Sequence, residues 1–165
     1  MTQTYLLELA NYNIWANHKL TDWLSQISVE QYEQPLVGSF KNIYETTLHI
    51  VAAEQIWHQR LRNDTPQWLV TTFEGDRAMM LEIWKRTSND LKTYIFDLSE
   101  VKLMESFAFN TRDGVPYYME RYKALVHVFN HSTFHRGQLI TLLRQVGFTG
   151  VGSTDLIDFY REITV

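Results

Sequence analysis

No cysteine occurs anywhere in the 165 residues. That absence excludes disulfide frameworks, thiolate metal sites and an internal cysteine nucleophile. A surplus of positive charge is lacking too: 15 Lys and Arg stand against 19 Asp and Glu, a formal net charge of −4. Such a balance offers no basic footprint for nucleic acid or for an anionic membrane surface. No run approaches the roughly 18 apolar residues of a membrane span, and residues 1–11 have neither the basic start nor the apolar core of a signal peptide. The expectation is a soluble, cytoplasmic protein. Proline and glycine are scarce, three and seven, and they stand between long segments rather than inside them. What is abundant is apolar: 45% hydrophobic residues, with five Trp, nine Tyr and nine Phe, far too much for a disordered chain. The length suits one domain over 1–165 with one substantial core. Six histidines remain. A metal bound by this chain would be held by nitrogen and oxygen.

Apolar residues recur at helical spacing over residues 2–27, through Leu6, Leu9, Ile14, Leu20, Trp23, Leu24 and Ile27. Residues 28–39, with Pro35 and Gly38, read as a connection. Ser39 is the expected N-cap of a second helix reaching about Leu61. Asn63-Asp64-Thr65-Pro66 then breaks the chain, and a third helix is expected from about Phe73 to Leu98. Alternation through Val101, Leu103, Glu105, Phe107 and Phe109, before the turn-prone residues 110–114, suits a short β-hairpin or extended crossover. Residues 101–105 stay ambiguous, because Met104 spoils the alternation. A fourth helix follows Pro116 and runs to Val146, with Gly147 as its C′ residue. A short terminal helix is expected over 155–162. Four long amphipathic helices make this an all-α protein, a four-helix bundle.

The fourth helix carries His127, His131 and His135 at successive steps of four. Four residues advance about 6 Å and rotate by about 40°, so neighbouring members can aim at one point. The outer two, about 12 Å apart along the axis, cannot easily share an ion from a straight helix. One pair is therefore expected to bind, with a further ligand from a facing helix, where His49 stands in mid-helix. The helix is not of the zincin type, since Val128 and Ser132 occupy the position after each histidine where His-Glu-x-x-His needs Glu. Glu45, four residues before His49, reads as a surface carboxylate. His18 and His58 read as background, and Trp15 and Trp57 most simply as core, with the wall of a pocket as the alternative for either. Gly137 lies inside the helix at a cost of about 1 kcal/mol relative to Ala, which suggests a close approach of another element to the backbone.

The run Asn130-His131-Ser132-Thr133-Phe134-His135-Arg136-Gly137-Gln138-Leu139 resembles the signature of the DinB-like (damage-inducible, YfiT-like) family. Asn11-Tyr12-Asn13-Ile14-Trp15-Ala16-Asn17, Leu48-His49-Ile50 with Ala53-Glu54 and Trp57, and Thr154-Asp155-Leu156-Ile157 extend the likeness over nearly the whole chain. The resemblance implies a four-helix-bundle metalloprotein of the thiol S-transferase type. It implies a divalent ion, nickel or zinc, on His49, His131 and His135, and a small-molecule thiol and substrate as partners; a homodimer through the aromatic-rich helices is expected as well. His127 falls outside the matched triad, as a neighbour of the site or a core residue. Arg136 and Gln138 are expected to structure the site's surroundings or a subunit contact. Asp155 serves the start of the terminal helix, or hydrogen-bonds a ligand histidine. Three neutral imidazoles leave positions open on an ion, which favours catalysis or ligand capture over a closed structural site. Alternatives are a non-catalytic metal-dependent binding or stress-response protein, or a metal-dependent hydrolase. Because the chain has no cysteine, the sulfur of any thiol chemistry must come from outside.

Overall fold

Side chains that capture free amides decide where these helices begin. The computed structural model describes residues 2–111 and 113–163. The first long helix, α1 (Gln3–Gln26), starts where Thr2 accepts from the Tyr5 amide. Inside the expected connection, Ser28 and Gln31 form a reciprocal capping box on a short helix, α2 (Val29–Glu33). The next long helix, α3 (Ile43–Leu61), is capped by Asn42, whose Oδ1 accepts from the Glu45 amide at 2.8 Å. Ser39 is therefore not the cap. It lies in a loop closed by the Leu36 amide on the Lys41 carbonyl, 2.8 Å.

After the one-turn helix α4 (Leu69–Thr72), Asp76 caps α5 (Arg77–Asp97), which begins four residues later than the periodicity suggested. The ambiguous residues around 101–105 form a short helix, α6 (Glu100–Met104), because Ser99 takes the Lys102 amide and diverts the chain from a strand. The hairpin follows: β1 (Ser106–Asn110) and β2 (Pro116–Glu120) pair antiparallel, Phe107 opposite Met119 and Phe109 opposite Tyr117. The ladder claims residues 116–120, so α7 (Arg121–Gln145) starts later than expected. Arg112, within the turn-prone cluster, lies outside the described residues. Gly147, at φ +82°, ends α7 in the left-handed conformation as foreseen. The terminal helix is α8 (Leu156–Ile163).

The four long helices pack as a ring: α1 on α5, α5 on α3, α3 on α7, and α7 on α1. Chain neighbours α1 and α3 thus lie on a diagonal, as do α5 and α7. These diagonal crossings carry α2 and its loop, and α6 with the hairpin. No helix among the described residues is long and apolar enough to cross a membrane.

Two apolar clusters fill the bundle. One gathers Leu20, Leu24, Ile43, Trp84, Leu139 and Leu143, and the other gathers Leu6, Leu61, Leu91, Ile95, Leu125 and Phe129. Each such side chain contributes about 1.5–3 kcal/mol when fully buried. Between the clusters lies a polar layer. Glu54 Oε1 accepts from Asn13 and Asn17 Nδ2, both at 2.9 Å, and from Ser132 Oγ at 2.8 Å, while Oε2 accepts from Ser88 Oγ at 2.8 Å. Arg136 donates to the side-chain oxygens of Asn13, Asn17 and Thr133. All four long helices contribute, and Glu54 and Arg136 are essentially inaccessible to solvent. Hydrogen bonds are directional, so this layer sets the rotation of each helix where apolar packing alone would tolerate slippage.

Candidate metal centre

The polar layer holds Ser132 inward, which turns its neighbours on α7 towards α3. His49 Nε2 lies 3.0 Å from His131 Nε2 and 3.1 Å from His135 Nε2. Imidazole nitrogens bind zinc-like ions at about 2.0–2.1 Å, so adjacent ligand nitrogens stand about 2.9–3.4 Å apart in tetrahedral or octahedral arrangements. The observed separations fall in that range, and the three side chains could hold a metal ion.

Tautomers agree with this. His135 Nδ1–H donates to Gln138 Oε1 at 2.8 Å, which leaves the lone pair on Nε2. Gln138 in turn donates from Nε2 to Ser39 Oγ at 2.9 Å, tying the α2–α3 loop to the site. His131 Nδ1 is buried with no hydrogen-bond partner among the described residues. Burial lowers the His49 imidazole from 6.5 to about 4, with repulsion from His135 as a smaller cause. Burial takes His131 to about 3, aided by the charges of His135, His49 and His127. Both are neutral at pH 7, the state a metal requires.

These shifts set the acid response of the metal-free protein. Unfolded histidines titrate near 6.5, whereas His49 and His131 resist protonation until about 4 and 3. Their folded values are depressed, so the unfolded state takes up protons first as pH falls. Stability is full above about pH 7 and is lost between about pH 6.5 and 3, by about 2–4 kcal/mol for the pair after discounting for solvent screening. Urea unfolding with a chelator at pH 7.5 and 4.5 measures this. A His49→Ala/His131→Ala double variant should show the smaller pH dependence, and an equal dependence would refute the assignment.

The other histidines divide cleanly. His127 stands at the exposed rim, its ring 5.9 Å from that of His131 and 5.2 Å from that of Trp57. Geometry excludes it from the triad but keeps it beside the site. His58 packs its ring on Tyr94 at 6.2 Å, away from the cluster, and His18 is exposed on α1. Of the two roles expected for Arg136 and Gln138, the structure shows the first: Arg136 belongs to the buried layer beside the site, and Gln138 is the direct partner of His135. Asp155 begins α8: its carbonyl accepts from the Asp158 and Phe159 amides, and neither His131 nor His135 bonds it. Glu45 takes the Lys41 amide at 3.1 Å and so serves the start of α3.

One reading changes. A Cβ on Gly137 would meet nothing within 4 Å, so no element approaches the backbone there. Trp57 takes both of its expected roles: half-buried, it packs against the second apolar cluster, and its ring lies 5.0 Å from Phe109 and 5.2 Å from His127 beside the site. Phe40 was missed: it lies 4.5 Å from the His49 ring and 5.7 Å from the His135 ring. Its loop position carries no periodicity that could have announced it.

Comparison with known proteins bears on the whole arrangement. The sequence profile of the DinB family matches residues 1–162. The protein DinB of Bacillus subtilis (strain 168) is 25% identical over 154 residues, covering 87% of each chain. A crystal structure of a conserved protein from Enterococcus faecalis superposes with a TM-score of 0.68 at 16% identity, over 88% of this chain and 98% of that one. At that identity the likeness establishes the fold.

Proposed function

The chain belongs to the DinB family, and from that premise we propose a metal-dependent S-transferase that uses a low-molecular-weight thiol. The convergence of His49, His131 and His135 on one point carries the proposal. A divalent ion, nickel or zinc, held by these three neutral ligands would keep open positions and favour the thiolate form of a bound thiol. The remaining work belongs to the chain. Gln138 fixes the His135 tautomer, and Phe40 shields one side of the cluster from water. Trp57 and His127 wall the other side. In the reaction the thiol loses its proton to solvent, sulfur forms a bond to an electrophilic carbon, and the leaving group departs with its electron pair. Low-molecular-weight thiols are kept reduced in the cytoplasm, which is the compartment proposed.

The test is consumption of monochlorobimane by metal-loaded protein with cysteamine or glutathione as thiol. We expect turnover above the uncatalysed rate, with chloride released, and none above background in His131→Ala. Metal binding without turnover across several thiols and leaving groups would replace the transferase by a metal-dependent binding protein.

A further inference from the structure

We propose that Arg60 is an anion-binding residue that receives the carboxylate of a small-molecule ligand, in a subsite on the same face of α3 as His49. Among the described residues two arginines are buried, and they are treated differently. Arg136 shares its polar layer with the Glu54 carboxylate, and three side-chain oxygens accept from its terminal nitrogens. Arg60 is only 9% exposed, yet no carboxylate pairs with it among the described residues. Its guanidinium lies 4.9 Å from the Trp57 ring, 5.1 Å from Phe109 and 5.5 Å from Trp68.

Aromatic rings stabilise the face of a guanidinium through their quadrupole. The five N–H groups lie in its plane and need acceptors that rings do not supply. One is provided: Nη2 donates to the Asn110 carbonyl at 3.1 Å. Nε is buried with no partner, as is Nε of Arg136; what sets Arg60 apart is the lack of a carboxylate paired with it among the described residues and the cavity it lines. A buried cation with a free donor edge is costly unless something anionic meets it. The space for that partner exists, as a cavity of about 220 Å³ lined by Arg60, Asn63, Pro66, Phe109 and Asn110 together with Asp64. Asp64 does not serve Arg60, since its carboxylate is engaged by Arg62 Nε at 2.9 Å. A planar carboxylate matches the forked donor geometry of arginine.

The position connects this subsite to the triad. Eleven residues separate His49 from Arg60, a rotation within about 20° of three full turns and a rise of about 16 Å. Trp57 forms the wall between them. The extension of the proposal rests on the S-transferase reading: the thiol used at the triad carries a carboxylate.

The first experiment follows the arginine Nε–H resonances of the protein as purified by ¹H–¹⁵N NMR, titrated with sodium succinate against sodium chloride at matched ionic strength. A saturable shift of one Nε–H is expected, with a Kd in the millimolar range or tighter, and that resonance should vanish in Arg60→Lys. No saturable shift up to about 50 mM succinate, or the same shift with chloride, would show that Arg60 only clamps the hairpin and overturn the subsite. The wild-type titration stands whatever the stability of the variant. The second experiment compares thiols in turnover. Arg60→Gln should raise KM for glutathione several-fold, with kcat and the KM for cysteamine unchanged; equal effects on both thiols would overturn the extension. Absence of turnover with the succinate shift intact would remove the transferase reading alone.

Discussion

Replacing His131 by alanine is expected to reduce bound metal from about one ion per chain to less than a tenth, as read by elemental analysis after dialysis. The same loss is expected for His49→Ala and His135→Ala. Loss of a single outer-shell partner already weakens metal sites by 10–100-fold, and loss of one of three direct ligands is more severe. His127→Ala is the discriminating control. Its ring neighbours His131 but lies outside the cluster of three, so its metal content should match wild type. Equal metal in wild type and all three triad variants would sink the assignment.

The accompanying stability change has an informative sign. Without an ion, His49 Nε2 faces the His131 and His135 Nε2 atoms at about 3 Å, where a single N–H cannot satisfy both neighbours and the remaining lone pairs repel. Removing one imidazole should therefore leave the chelated protein as stable as wild type or slightly more so. With metal present the order reverses. An ion at 1,000 times its Kd stabilises the native state by about 4 kcal/mol, and the variants forfeit that gain. Thermal melts with and without chelator separate loss of the site from loss of the fold.

The second large effect concerns a residue with no part in metal binding. Glu54→Ala is expected to destabilise the protein by about 3–5 kcal/mol, because it leaves Arg136 buried without its countercharge. It also removes the acceptor of Asn13, Asn17, Ser88 and Ser132. For a chain of this length that corresponds to a fall in Tm of roughly 10–15 °C. Glu54→Gln keeps the shape and one oxygen acceptor, so it should lose less. Pairing Glu54→Leu with Arg136→Met should recover part of the loss, since both charges leave the interior together. A Glu54→Ala variant within about 1 kcal/mol of wild type in urea unfolding would show that the layer contributes little.

The residues differ in how far ahead of the structure they could be understood. Long helices announce themselves through spacing, which is local, and the Gly147 stop is a local property too. Helix starts were less accurate, because several side chains compete for the free amides. Asn42 won over Ser39, and Asp76 fixed α5 after residue 73. Residues 116–120 join a strand because β1 pairs with them, an interaction invisible in their own spacing.

By itself, the sequence determined a cysteine-free bundle of four long helices with three histidines in step on the last of them. Helical period is written into neighbouring residues, and so is the donor chemistry. Spacing alone could not choose between the pair His127 and His131 and the pair His131 and His135, since both steps are identical. The family resemblance named the second pair, and the tertiary structure supplied the physical reason. Antiparallel packing of α3 on α7 sets His49 opposite His131 and His135, and sets Trp57 opposite His127. The tertiary structure alone joined Glu54 to Arg136's layer and left Arg60 among aromatic rings with no acid paired to it among the described residues. Those facts depend on which helix faces are turned inward together, a property of the packed bundle and of no single segment.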